Sequence, residues 1–190
     1  MRQWIKEIID GKEKLLKKLE SSGYLSALEK AGEAMIQALR MENKLILAGN
    51  GGSAADAQHF AGEMTGRFMR ERNALAAVSL CVDSSVVTSI ANDYGYGEVF
   101  TRQLDGIGRS GDVFIAISTS GNSDNLIRAV RKAREKDMKV VGLLGKNGGE
   151  IKPHCDYALV VPDDSIPRIQ EIHTLSVHLL CELIERELFL

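Results

Sequence analysis

The sequence lacks the long apolar run of a membrane-spanning helix, since none of its hydrophobic stretches approaches the roughly 20 residues that cross a bilayer. The segment from Met1 to Glu7 is charged and contains no signal-peptide core. Cysteine is scarce: three scattered residues without CxxC spacing argue against a disulfide framework or a zinc ribbon. These features predict reduced thiols and a cytoplasmic protein that does not bind a membrane.

An excess of charge of either sign is also missing, because 24 Lys and Arg stand against 26 Asp and Glu, for a net charge of −2. A general nucleic-acid or anionic-membrane binder carries a clear positive excess, so neither partner is expected. The chain is 44% hydrophobic and only 5% aromatic, which is typical of a folded globular protein. At about 100–200 residues per domain, its 190 residues predict one domain, 1–190.

The hydrophobic pattern changes its period after Asn43. Before that point, apolar residues recur at helical spacing in 5–19 and 25–39, separated by Ser21-Ser22-Gly23, which predicts an N-terminal helical extension over 1–42. Beyond it come five short, continuously apolar runs, typical of parallel strands buried on both faces: 45–48, 76–80, 113–117, 140–144 and 157–161. Further helices are predicted at about 53–70, 84–91, 98–106, 123–136 and 168–188.

Strands that alternate with helices predict an α/β fold, with a doubly wound, five-stranded parallel sheet of the flavodoxin-like type over 43–190. Ligands of such sheets bind beyond the carboxyl ends of the strands, where the strand order reverses. The first and third strands end in glycine- and hydroxyl-rich loops, Gly49-Asn50-Gly51-Gly52-Ser53 and Ser118-Thr119-Ser120-Gly121-Asn122-Ser123. Both loops open a helix, which favours a bound phosphate, with turn and capping chemistry as the alternative.

The first loop also matches G-x-G-x-x-A, the dinucleotide fingerprint, with Asp83 after the second strand as the acid that would bind the ribose. However, Asp83 lies late for the usual spacing of about 20 residues, and the loop at 118–123 has no role in that scheme. Neither a Walker loop nor a G-x-S-x-G motif is present. A nicotinamide-dependent oxidoreductase is therefore the weaker alternative.

Two helices carry polar residues that share a face. His59 and Glu63 are four residues apart, a spacing that suits a metal-ligand pair, a base with its partner or a solvated surface pair. On the last helix, Gln170, Thr174 and His178 form a stripe, and the apolar neighbours of His178 predict a buried ring. Neither set is decisive alone.

The remaining candidate side chains are less informative. The segment Asn92-Asp93-Tyr94-Gly95 closes a helix and brings an amide and a carboxylate to the same edge of the sheet, or it forms only a cap and turn. His154 and His173 have no partner at a useful spacing, so both are interpreted as structural or solvated.

Taken together, these motifs resemble those of the phosphoheptose isomerases, sugar-isomerase (SIS) domain enzymes that act on sedoheptulose 7-phosphate. The resemblance covers nearly the whole chain and rests on the two loops together with Asp56-Ala57-Gln58-His59-Phe60-Ala61-Gly62-Glu63, Thr65-Gly66-Arg67, Ala91-Asn92-Asp93 and Arg168-Ile169-Gln170-Glu171-Ile172-His173. It implies the SIS fold and an aldose–ketose isomerase of heptose biosynthesis that forms D-glycero-D-manno-heptose 7-phosphate through an enediol.

The resemblance also implies roles for particular residues. Glu63 and His178 would be the catalytic acid–base pair. One zinc ion per subunit, either catalytic or structural, would be held by His59, Glu63, Gln170 and His178. The sugar phosphate would be bound by Asn50, Gly51, Gly52, Ser53, Asn92, Asp93, Ser118, Thr119, Ser120, Ser123 and Gln170. The partner would be a second copy of the chain in a homotetramer whose subunits complete one another's sites.

A non-catalytic binding protein that associates with the replication initiator is similar in fold and sequence. In that branch the positions matching Glu63 and His178 are not retained, whereas both are present here, which favours the enzyme. One departure from the isomerases is Pro167, which stands where some of them carry a carboxylate. A positioning role at that point is either absent or falls to Asp163 or Asp164.

Overall fold

Five parallel strands form one sheet in the order β2-β1-β3-β4-β5 in a computed structural model that describes Met1–Phe189. The strands are β1 (Leu45–Gly49), β2 (Ala77–Ser79), β3 (Val113–Ser118), β4 (Lys139–Gly145) and β5 (Tyr157–Val161). The helices are α1 (Arg2–Ser21), α2 (Tyr24–Arg40), α3 (Gly52–Thr65), α4 (Ser84–Tyr94), α5 (Thr101–Ile107), α6 (Asp124–Glu135) and α7 (Ile166–Phe189). Short 3₁₀ turns occupy Tyr96–Glu98 and Lys152–His154. This strand order is that of flavodoxin-like sheets, as the alternating pattern predicts.

Two hydrophobic layers cover the sheet. One cluster joins the sheet to α1, α2, α3 and α7, and the other joins it to α5 and α6. The prediction of burial on both faces is confirmed for β1 and β3, whose residues are all buried, and for β4 beyond Lys139. It is wrong for β2 and β5, which are partly exposed because they lie at the two edges of the sheet.

The N-terminal helix pair is present as predicted, with Gly23 at φ +76° in the turn between its two helices. Only Leu15 and Leu19 of α1 are buried. The first half of α1 instead presents Trp4 and Ile9 to solvent, with 63% and 62% of their surface exposed. Across Met1–Phe189, no helix combines the length and the apolar character needed to cross a membrane.

Three helix boundaries differ from the prediction. The helix predicted to reach residue 70 ends at Thr65, because the side chain of Arg72 binds the carbonyl groups of its last turn. The segment 98–106 begins as a 3₁₀ turn, and α5 starts only at Thr101. The last helix begins at Ile166, ahead of Pro167, since proline is tolerated in a first helical turn.

Candidate active site

The two glycine-rich loops meet where the strand order reverses. β1 and β3 are neighbours, whereas β2 and β4, the strands that follow them in the chain, lie on opposite sides of this pair. Asn50 of the first loop contacts Asn125 in the first turn of α6, the helix that follows the second loop: the Asn50 amide donates to Asn125 Oδ1 at 3.0 Å, and the Asn125 amide donates to Asn50 Oδ1 at 2.9 Å. This contact places the first loop beside the helix that the second loop opens.

The loop at 118–123 forms a cradle of hydroxyl groups. Ser118 Oγ is buried, accepts the Gly121 N–H at 3.0 Å, and lies 3.5 Å from both Ser120 Oγ and Ser123 Oγ. Ser123 is the N-cap of α6, so the first backbone N–H groups of that helix open into the same cradle. Three hydroxyl groups at a helix N-terminus are suited to hold a phosphate.

Glycine in the first loop permits a close approach of the last helix. Gly51 is the N-cap of α3 and has φ +57°, a conformation that favours glycine. A Cβ atom on Gly52 would lie 2.3 Å from Gln170 Nε2, so the amide of Gln170 lies directly over the first turn of α3. Ser53 is buried behind this contact. The structure therefore brings Gln170 to the first loop.

A ladder of contacts continues from there between α3 and α7. The Thr174 hydroxyl donates to Asp56 Oδ1 at 2.8 Å, one turn beyond Gly52. The Nε2 atoms of His59 and His178 lie 2.9 Å apart, one turn further on. Because residue numbers rise together on both helices, α3 and α7 are parallel along this seam. His59 lies about 10 Å along the helix axis from Gly52 at 1.5 Å per residue.

The hydrogen-bonded imidazoles of His59 and His178 lie next to Glu63, so both residues with implied acid–base roles meet at this point of the seam. At 2.9 Å, one Nε2 carries a proton and donates it to the other. Glu63 Oε1 lies 3.5 Å from His59 Nε2, so His59 stands between Glu63 and His178. The prediction of a buried His178 ring is wrong: the residue is partly exposed, because it faces α3 rather than the core, with the ring of Phe68 stacked on it at 5.6 Å.

Asp56 is a functional candidate that the sequence analysis did not single out. Burial raises the pKa of its carboxyl group, while the Thr174 hydroxyl and the imidazoles of His59 and His178 oppose that rise. Asp56 lies three residues before His59 on the same face of α3. The spacing rule that selected His59 and Glu63 would also have found it.

Asn92 and Asp93 lie at the exposed end of α4, where the Asn92 amide donates to Asp93 Oδ1 at 2.8 Å. The residue of this segment that reaches the first loop is Tyr96, whose hydroxyl donates to Asn50 Oδ1 at 3.0 Å. No spacing signal pointed to Tyr96. His173 is a structural residue, buried in the core beneath α7.

Three of the four implied zinc ligands converge. His59, Glu63 and His178 offer the nitrogen and oxygen donors that zinc accepts, and the Nε2 atoms of the two histidines face each other at 2.9 Å. Gln170 lies eight residues before His178, about 12 Å along the axis of α7 at 1.5 Å per residue. Within Met1–Phe189, no group of three or more His, Cys, Asp or Glu side chains has the arrangement of a metal site. The types of these side chains fit zinc, whereas their arrangement in this structure, with the two imidazoles hydrogen-bonded to each other, is not that of a metal site.

Known proteins resemble this chain along almost its whole length. The SIS domain family model matches residues 3–145. Phosphoheptose isomerase of Helicobacter pylori (strain ATCC 700392 / 26695) is 51% identical over 181 residues, which are 95% of this chain and 93% of that protein. Phosphoheptose isomerase of Clostridium acetobutylicum is 47% identical over 185 residues, covering 97% and 93% of the two chains.

The solved structures agree. Phosphoheptose isomerase GmhA from Neisseria gonorrhoeae matches with a TM-score of 0.91 at 42% identity, covering 97% of this chain and 98% of that one. A phosphoheptose isomerase from Francisella tularensis matches with a TM-score of 0.92 at 33% identity, covering 97% of each chain. The fold is thus the SIS fold that the sequence motifs implied, and the chain belongs to the phosphoheptose isomerases of the SIS domain family.

Proposed function

We propose that this chain interconverts sedoheptulose 7-phosphate and D-glycero-D-manno-heptose 7-phosphate, in the biosynthesis of heptose. One observation carries the proposal: the loop at which α3 begins contacts the first turn of α6, the helix that opens at the phosphate cradle, and two turns along α3 His59, with Glu63 beside it, contacts His178. An aldose–ketose isomerase needs both features: a binding site for the phosphate, away from the reacting carbons, and a group that transfers protons. The family of relatives at about 50% identity supplies the identity of the sugar.

The phosphate on C7 is the part of the substrate that anchors it in the site. It is held by the hydroxyl groups of Ser118, Ser120 and Ser123 and by the N-terminus of α6. Binding energy gained there orients C1 and C2, which lie at the far end of the sugar. Gly52, in the loop that contacts α6, lies about 10 Å along α3 from His59 at 1.5 Å per residue, and the carbon chain would extend along this part of α3.

The reaction moves one proton between carbons and another between oxygens. Glu63 takes the proton from C1 of the ketose, which gives the enediol, and returns it to C2 to form the aldose. His178 carries a proton between O1 and O2, a role that imidazole side chains commonly take in general acid–base catalysis. His59 lies against both groups, 2.9 Å from His178 Nε2 and 3.5 Å from Glu63 Oε1.

Zinc is proposed at the same place. His59, Glu63 and His178 would hold the ion, and a bound zinc supplies a Lewis acid that polarises a sugar carbonyl. A carboxylate or imidazole bound to zinc is less free to accept a proton, so the ion would compete with the acid–base roles of Glu63 and His178. The three side chains are arranged on two packed helices, which holds them in place without the metal.

The proposed partner is a second copy of this chain, in a tetramer with shared sites. Trp4, Ile5 and Ile9 form an exposed apolar stripe on α1. A groove of about 550 Å³ between α2 and α7, lined in part by Leu25 and Leu179, offers a second apolar surface. Self-association would bury both surfaces. Light scattering should give four times the chain mass of 20.8 kDa, and a monomer at micromolar concentration would contradict the proposal.

The activity is tested with purified protein and sedoheptulose 7-phosphate, following the appearance of the aldose by NMR. We expect turnover by the wild type and its loss in His178→Ala, with thermal unfolding unchanged because the ring is partly exposed. A wild-type protein that binds the sugar phosphate but never converts it would overturn the enzyme assignment and point to a binding protein.

A further inference from the structure

A buried ion pair joins the loop after α3 to the last helix. Arg72 Nε donates to Glu185 Oε1 at 3.0 Å, and the two side chains are 0% and 2% exposed. The cost of removing two charges from water offsets much of their attraction, so such a pair is a poor source of stability. The other hydrogen bonds of Arg72 and Glu185 show which parts of the backbone the pair holds in place.

Glu185 binds the backbone of the loop that follows α3. Its carboxylate accepts three successive backbone N–H groups, those of Phe68 at 3.0 Å, Met69 at 3.0 Å and Arg70 at 3.1 Å. Successive amide groups seldom point the same way in an irregular segment, and here one carboxylate holds all three. The backbone on either side of Phe68 is therefore fixed by α7.

Arg72 binds the end of α3. Its Nη2 donates to the backbone carbonyl of Glu63 at 2.7 Å, and its Nη1 donates to that of Met64 at 2.8 Å. These carbonyls belong to the last turn of the helix, where no intrahelical partner is available to them. The guanidinium group thus fixes the turn that carries Glu63.

The loop held in this way places an aromatic ring on His178. The rings of Phe68 and His178 are stacked with an interplanar angle of 25° and a centroid distance of 5.6 Å. The imidazole also meets His59, through its Nε2 atom. His178 is therefore in contact with both Phe68 and His59, and Glu185 lies two turns beyond it on the same helix.

We propose that Phe68 is a positioning residue for His178, and that the Arg72–Glu185 pair holds both Phe68 and the turn bearing Glu63 for the proton transfers. The proposal rests on the proposed function, which assigns those transfers to Glu63 and His178. Without the ring, the imidazole has space to rotate away from His59. Small misplacements of a catalytic group cost about 100-fold in rate, whereas the phosphate cradle is built by the loop at 118–123 and the start of α6 and should not be disturbed.

The first experiment compares Phe68→Leu with Phe68→Tyr. Leucine keeps the apolar volume but cannot stack, so we expect kcat to fall about 10- to 100-fold with KM within about twofold of wild type. Tyrosine keeps the ring and should restore kcat to within about threefold. The C–H protons of the His178 ring, observed by NMR in histidine-labelled protein, should lose their upfield ring-current shift in Phe68→Leu alone.

The second experiment removes the ion pair as a unit. Arg72→Met with Glu185→Leu leaves no unpaired buried charge, so the protein should fold, yet kcat should fall while KM is kept. A matched control is Lys44→Met with Asp112→Leu, since Asp112 also holds a cation and backbone N–H groups but lies at the opposite end of the strands. This control should lose thermal stability and keep its kcat.

The outcomes distinguish a failure of the positioning role from a failure of the proposed function. If the wild type converts sedoheptulose 7-phosphate but Phe68→Leu is equally fast, the positioning role is overturned and the proposed function stands. If the wild type does not turn over the sugar, the proposed function fails and the positioning role fails with it. Should the double variant not fold, the Phe68 variants decide the question alone.

Discussion

The Nε2 atoms of His59 and His178 lie 2.9 Å apart across the seam between α3 and α7. One imidazole therefore donates to the other, and Glu63 Oε1 lies 3.5 Å from the same nitrogen of His59. His59 Nε2 thus makes a hydrogen bond to His178 and a longer charge contact to Glu63. Substitutions of these three residues should change the rate of reaction more than the fold.

Glu63→Gln removes the proposed carbon base while keeping the shape of the side chain. We expect kcat to fall about 10²- to 10⁴-fold, the usual contribution of a general base. Unfolding should be unaffected, since the Glu63 side chain is 24% exposed and its charge is not part of a buried pair. Steady-state kinetics and thermal unfolding check both statements, with Glu20→Gln on the exposed face of α1 as the control. Full activity in Glu63→Gln would remove this residue from the mechanism.

Gly52→Ala tests the contact between the first loop and the last helix. The new Cβ atom would lie 2.3 Å from Gln170 Nε2, so the amide must move away from the site. We expect KM to rise roughly tenfold, as for the loss of about one hydrogen bond. Gly62→Ala is a matched control on the same helix, since nothing lies within 4 Å of its Cβ position. An unchanged KM in Gly52→Ala would show that Gln170 does not bind the substrate.

The zinc proposal is checked by metal content as well as by rate. Protein purified without chelator should contain about one zinc per chain, and His59→Gln should lose most of it, because one of three converging donors is gone. His154→Gln, in the 3₁₀ turn before β5, should keep its zinc. Full activity after chelation would leave zinc no catalytic role.

The central strands could be predicted because a buried parallel strand is almost entirely apolar, and β1 and β3 are apolar up to the glycine and the serine with which they end. The end of α3 at Thr65 could not, since it depends on Arg72 and on a carboxylate 113 residues further along the chain. Local pattern carries no information about a partner at that distance.

The error over His178 has a related cause. Its neighbours in α7 are apolar, but Leu175 and Leu179 are themselves 38% and 40% exposed, so an apolar stretch of this helix does not mark the core. Which face of α7 meets α3 is decided by packing. Only the contacts with Asp56 and His59 show that the stripe of Thr174 and His178 lies in a polar seam.

His173 should make the stability of the protein dependent on pH. The residue is fully buried, and neither ring nitrogen has a hydrogen-bond partner within Met1–Phe189. Burial lowers its pKa from 6.5 to about 4, and a weak interaction with the Leu144 backbone opposes this only in part. The folded protein therefore keeps the ring neutral at pH values at which the unfolded chain protonates it.

The sign of the effect follows from this difference. Above pH 6.5 the ring is neutral in both states, and its contribution to stability is fully present. As the pH falls from 6.5 towards 4, the ring becomes protonated in the unfolded state but stays neutral in the folded state, so the free energy of unfolding decreases. At 1.36 kcal/mol per pKa unit, the total loss is on the order of 3 kcal/mol. Urea unfolding at pH 7.5 and pH 5 measures the loss, and His173→Leu should lose less stability than wild type over that interval. An equal loss in both proteins would show that His173 is not the group responsible.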